Sequence, residues 1–307
     1  MKRNLTIEEV ELPELDIQAG RRAFLRTSGL MAAGAAMLGV GVVGAPKMAE
    51  AQTLTDPAIL NFALNLEYLE AEFYLRAAFG RGLADKDIMG PGNNGRVFVP
   101  KNTNVSKYPS NLSRAVLNYA KEIATDEENH VKFLRAALGT AKVGRPSINL
   151  DTSFTAAAKA AGLIKGNQTF NAFADDTSFL LAAFIFEDVG VTAYKGAARF
   201  IKNPDFLEAA AGLLAVEAYH AGEIRTLLVA RGLFEPAKAI SDVRDGLDGE
   251  SDLDQGIGNA SKFNVVPTDE NGLAFSRTPD QVLRIVYLGN NATPVSFFPN
   301  RLNGELK

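Results

Sequence analysis

Long stretches of apolar residues at helical spacing constrain this chain more than any other feature, and they call for a helix bundle. From Asp56 to Phe79, the residues Ile59, Phe62, Ala63, Leu66, Leu69, Phe73 and Ala77 recur at intervals of three and four, the period of an amphipathic helix. A second pattern runs from about Asn111 to Leu138 through Leu112, Val116, Ile123, Phe133 and Leu134, with Gly139 placed to cap it. A third runs from about Asp175 to Ile201 and a fourth from about Pro204 to Ala230. Only the turn Asn203-Pro204-Asp205 separates these two, which makes them antiparallel neighbours. The expected fold class is all-α: a four-helix bundle with a long crossover between helices two and three and a loop-rich C-terminal covering segment.

The connections follow from composition. Residues 80–110 are rich in Gly, Pro and Asn and read as a long surface loop that sustains neither a helix nor a central strand. About 35 residues separate the second helix from the third, including a short Ala-rich piece around Thr155 to Ala161, a length suited to a crossover along a bundle. Beyond Gly232 the chain turns to short mixed segments, broken by one helical stretch in which Thr278-Pro279-Asp280-Gln281 forms a capping box before Val282, Leu283 and Ile285. The expected division is an export signal over 1–51, a bundle over 52–232 and an extension packed on it over 233–307.

The first of these segments reads as an address. Arg21-Arg22-Ala23-Phe24-Leu25 precedes a Gly/Ala/Val-rich apolar run from Gly29 to Gly44 and then Ala49-Glu50-Ala51, a small-x-small cleavage site. These are the parts of a twin-arginine signal in order, with cleavage expected after Ala51 and a periplasmic or extracellular destination. The apolar run is close to the ~20 residues of a membrane span, but its glycines and alanines make a weak one, so no permanent span is expected. With 32 Lys and Arg against 36 Asp and Glu, the chain carries no electrostatic footprint for nucleic acid or an acidic membrane.

Cysteine is absent, so disulfides, thiol catalysis and thiolate sites are excluded, and any metal must be held by oxygen and imidazole. The chain has only two histidines, and both close the same pattern: Glu127-Glu128-Asn129-His130 on the second helix and Glu217-Ala218-Tyr219-His220 on the fourth. Residues three apart on a helix share a face, so in each Glu-x-x-His a carboxylate and an imidazole can reach one ion, the motif of two-metal bundles. Each of the other two helices is then expected to supply a buried Glu. On the third, Glu187 interrupts the apolar run Phe179 to Phe186 before Val189, on a stripe that faces the core. On the first, Glu67 is selected because Tyr74 follows it by seven residues as Tyr194 follows Glu187, and Glu70 is the alternative. The two tyrosines share those stripes, either beside the site or merely in the core. Glu72, Glu128, Glu208 and Glu223 are expected to face solvent. Four carboxylates and two imidazoles offset two divalent cations and suit iron or manganese. A metal-free bundle would leave the carboxylates to be balanced mainly by two imidazoles, an expensive arrangement in a core.

With these residues in place, the sequence resembles the ferritin-like superfamily. The runs Leu66-Glu67-Tyr68-Leu69-Glu70-Ala71 and Phe297-Phe298-Pro299 with Asn303-Gly304 are similar to its exported bacterial branch, which is related to plant desiccation proteins. The resemblance implies that Glu127 and Glu217 bridge two metal ions, that His130 and His220 bind one each, and that Glu67 and Glu187 are terminal ligands. It further implies hydrogen peroxide or O2 as substrates, through metal oxidation or peroxide disproportionation at a manganese pair, or else a non-catalytic metal-binding or desiccation-protection role. It leaves a homo-oligomer open. No nucleotide loop, Ser-His-Asp set or rubredoxin-type cysteine site is present, so a reductive cycle needs electrons from outside.

Overall fold

Each long helix begins where a polar side chain satisfies its first free N–H groups. In the computed structural model, which describes residues 54–92, 94–101, 111–250 and 252–307, helix α1 spans Asp56–Phe79; the export signal lies outside the described residues. Thr55 caps α1, its hydroxyl accepting from the Ala58 N–H at 3.2 Å, and Gly80 ends it in the left-handed conformation at φ 64°. Ser113 caps α2 (Arg114–Leu138), so this helix starts later than the periodicity suggests. The crossover holds α3 (Thr152–Ala160). Asp175 caps α4 (Asp176–Ala198) through the Ser178 N–H at 2.8 Å, and Asn203 caps α5 (Pro204–Ala230). Helix α4 stops short of Ile201.

The chain is all-α in its main elements, with α1 packed along α2 and α4 along α5, and smaller contacts of α1 with α4 and α2 with α5 closing the bundle. The link 199–203 is too short to return along the bundle, so α4 and α5 run antiparallel. Helix α4 is long and apolar enough to cross a bilayer, but 83% of its apolar window is buried inside the protein, and its composition is that of a central core helix.

One expectation about the connections needs correction, that of a single helix in the C-terminal extension. The loop after α1 contains a short 3₁₀ turn at Asp85–Asp87 and a strand, β1 (Val97–Phe98), which pairs in parallel with β2 (Ile148–Asn149) of the crossover. The C-terminal extension holds two helices where one was expected: α6 (Phe234–Asp248) precedes the capped α7 (Pro279–Val286). Helix α6 escapes the apolar pattern because its buried face includes Ser241, Arg244 and Asp248. A small hairpin of β3 (Gly258–Asn259) and β4 (Lys262–Phe263) lies between them.

Two features hold the extension to the bundle. Phe297, fully buried, enters a cluster with Phe154 of α3 and Phe73, Phe179 and Phe186 of the bundle, ring centroids 5.0 to 5.6 Å apart. Beside it lies a buried ion network. Asp188 of α4 accepts from Arg225 (2.7 Å) and Arg244 (2.8 Å), Asp254 accepts from Arg244 (2.6 Å) and Arg277 (2.7 Å), and Asp248 accepts from Arg277 (2.7 Å). Gly196 lets the Arg277 backbone lie directly on α4, since a Cβ there would overlap the Arg277 carbonyl oxygen.

Candidate metal centre

The four long helices bring all six predicted ligands to one buried place. Glu67 comes from α1, Glu127 and His130 from α2, Glu187 from α4, and Glu217 and His220 from α5. The four carboxylates are fully buried, with His130 and His220 at 7% and 3% exposure. His130 Nδ1 stands 3.2 Å from Glu67, 3.6 Å from Glu127 and 3.5 Å from Glu217. His220 Nδ1 stands 3.1 Å from Glu127 and 3.7 Å from Glu187. The ring centroids are 6.2 Å apart.

Two groups of donor atoms emerge, each with its atoms within 4.8 Å of one another: Glu67, Glu127, His130 and Glu217, and Glu187, Glu217 and His220. Glu217 belongs to both. Glu127 offers one oxygen to each imidazole. The two Glu-x-x-His carboxylates thus span the site, while Glu67 and Glu187 serve one side each. Glu70 enters neither group, because one helical turn moves it round the edge of the stripe.

Both carboxylate oxygens of Glu127 and Glu217, one of Glu187 and His220 Nδ1 are buried without a hydrogen-bond partner. Among the described residues no Lys or Arg is ion-paired with Glu67, Glu127, Glu187 or Glu217. Buried polar atoms are ordinarily satisfied, and a buried charge is ordinarily paired or bound to metal. All-oxygen and imidazole donors in this number fit a pair of hard or borderline divalent cations.

Around these donors stands a second set of side chains. The Tyr74 hydroxyl donates to Glu187 and the Tyr194 hydroxyl donates to Glu67, so each helix's tyrosine holds the other helix's glutamate. This decides the tyrosine question in favour of the site. His220 Nε2 faces Asp126 at 3.3 Å, which fixes the ring with Nδ1 turned inward. Sequence reasoning missed Asp126, since its partner lies on another helix; its place directly before Glu127 was the available signal. The expectation for Glu72 is overturned: it is fully buried and ion-paired with Arg76 and with Arg145, because the crossover covers this face of α1. Glu208 is exposed, whereas Glu128 is partly covered in pairs with Arg81 and Lys132, and Glu223 is half-buried.

Burial, reinforced by neighbouring carboxylates, pushes Glu67, Glu70, Glu187 and Glu217 above the usual carboxylate range. Burial acts the same way on Glu127, but the two imidazoles that face its oxygens outweigh it and hold this carboxyl low. Burial opposes the charged imidazoles; against it, Glu67 and its neighbours raise His130, and Glu127 and Glu187 raise His220 to about 11. Apart from Glu127, these groups keep protons in the folded, metal-free protein that the unfolded chain releases. Stability is then lost as pH rises above the unfolded carboxylate and imidazole values. The metal-free protein should therefore melt at lower temperature at pH 8 than at pH 5, and metal, which replaces the protons, should flatten or reverse that slope. Thermal unfolding across this range with and without chelator checks it; a metal-free melting temperature that climbs with pH would contradict the assignment.

The family model for the ferritin-like domain matches residues 55–230, more than half of the chain and all six residues above. The chain belongs to the ferritin-like family. Within that family it is 30% identical over 272 residues to the desiccation-related protein PCC13-62 of Craterostigma plantagineum, covering 82% of this chain and 84% of that protein. It is 29% identical over 271 residues to the ferritin-like catalase Nec2 of Nesocodon mauritianus, with the same coverage. No solved structure matches the chain. The ferritin-like match ends at the close of α5, so Phe297 and the Arg244, Asp248, Asp254 and Arg277 members of the ion network lie in an extension beyond the matched domain, joined to Asp188 and Arg225 within it.

Proposed function

We propose that this ferritin-like chain is an exported two-metal carboxylate protein that acts on hydrogen peroxide or O2. The observation that carries the reading is the convergence of two Glu-x-x-His motifs and two further glutamates in one buried cluster, where both oxygens of Glu127 and Glu217 have no hydrogen-bond partner. A bound iron or manganese pair would supply the electrons exchanged with the oxidant. The protein's own part is positional. Tyr74 and Tyr194 orient Glu187 and Glu67, Asp126 orients His220, and the surrounding apolar core keeps bulk water from the site. Without cysteine or an electron-transfer module, donor-free peroxide disproportionation is favoured, and the relative named as a catalase supports it. The relative named as desiccation-related supports a second reading, non-catalytic metal binding in stress protection.

The test is to load the mature protein with each metal and follow peroxide loss and O2 release, with His130→Ala and His220→Ala as controls. Activity above free metal that both variants lose supports the enzyme; none from either metal form leaves the protective role. Export is a separate part of the proposal. Replacing Arg21 and Arg22 with lysine should leave the precursor inside the cell, as the twin-arginine route requires the pair, and undiminished release would refute the assignment.

A further inference from the structure

Glu70 is buried at 4% exposure, one turn from Glu67, and among the described residues has no hydrogen-bond or ion-pair partner. It lines a narrow cleft of about 20 Å³, whose other walls include Leu69, Phe186, Val189, Ile285 and Phe297. Gly190 forms part of the same wall, and a Cβ built there would overlap Glu217 Oε2 and lie 3.5 Å from Glu70 Oε1. The Glu217 carboxylate takes the place a side chain at Gly190 would fill, which brings a predicted bridging carboxylate up to the cleft wall beside Glu70. Every other residue lining the cleft is apolar or glycine, so its polar end is Glu70 alone.

We infer that this cleft is the route by which a small neutral molecule such as peroxide or O2 reaches the metal pair, and that Glu70 hydrogen-bonds it at the inner end instead of ligating metal. The inference rests on the two-metal reading above. Apolar walls disfavour ions but pass small neutral solutes, since an ion would shed its hydration without compensation. Glu70 lies outside both donor groups yet beside Glu217, where a molecule arriving at the centre meets it first. Three of the wall residues, Ile285, Val286 and Phe297, come from the C-terminal extension, which gives that segment a part in setting the size of what enters.

The experiment compares Glu70→Gln, Glu70→Ala, Ile285→Phe and Ile285→Ala with the full mature protein. Metal content is measured by elemental analysis, and nitric oxide association with the ferrous-loaded protein is followed by absorption, a readout that needs no turnover. Both Glu70 variants should keep the wild-type metal content. Glu70→Ala should weaken nitric oxide binding and raise the KM for peroxide, each about tenfold, the scale of one lost hydrogen bond, and Glu70→Gln should restore most of it. Metal loss in Glu70→Gln would make Glu70 a ligand and overturn its assignment. Ile285→Phe should slow nitric oxide association and Ile285→Ala should speed it and admit tert-butyl hydroperoxide; if neither rate moves in proteins of full metal content, the route is wrong. A wild type that binds metal and nitric oxide but consumes no peroxide would sink the enzymatic reading alone.

Discussion

Replacing Glu127 and Glu217 together with alanine is expected to cut metal content to less than half that of the parent and to reduce any peroxide turnover at least a hundredfold. These two carboxylates are the only ones whose oxygens serve both sides of the centre, Glu217 through both donor groups and Glu127 through both imidazoles. Removing even a residue that merely orients a ligand costs roughly 10- to 100-fold in metal affinity or activity, so the loss of both shared ligands exceeds that. In the metal-free proteins the deletion relieves repulsion with Glu67, Glu70 and Glu187 but also removes the Glu127 partner of both imidazoles, so the variant should still unfold in one cooperative transition. Elemental analysis and thermal unfolding of both forms separate a ligand from a structural role. Full metal content in the double variant would place the site elsewhere.

The largest effect on folding should come from Asp254→Ala, in the ion network of the C-terminal extension. Asp254 accepts from both Arg244 and Arg277 and from the Ser241 hydroxyl, all buried, so its removal leaves two guanidinium groups short of a partner in the core. Breaking a buried pair by deleting one side costs about 3–5 kcal/mol. In a domain of this size that lowers the melting temperature on the order of 10 °C. Asp254→Asn, which keeps the acceptor but not the charge, should fall between the two. A melting temperature within a degree of the parent would show that the network contributes nothing net to the docking of the extension.

The four long helices were legible because their apolar residues repeat at the helical period whatever they pack against. The metal motif was legible for the same reason: Glu127 and His130, or Glu217 and His220, share a face of one helix by spacing alone. Helix α6 was not, because the face it buries carries Ser241, Arg244 and Asp248, which mimic a surface pattern until their partners on α4 and in the extension are seen. Glu72 was misjudged for the converse reason, since a charged residue on a long helix is ordinarily solvated, and the crossover's Arg145, which joins Arg76 in pairing with Glu72, is brought there only by the fold.

What the sequence determined by itself is local: helix period, the capping box at Thr278, and the pairing of each histidine with a carboxylate three residues before it. Tertiary structure alone decided how the helices face one another. It set Glu67 and not Glu70 among the donors, crossed Tyr74 to Glu187 and Tyr194 to Glu67, and turned His220 with Asp126. The reason is one of range. Backbone geometry relates residues within about two turns, whereas the phase of one helix against another is set by the packing of entire faces, a property of many side chains at once.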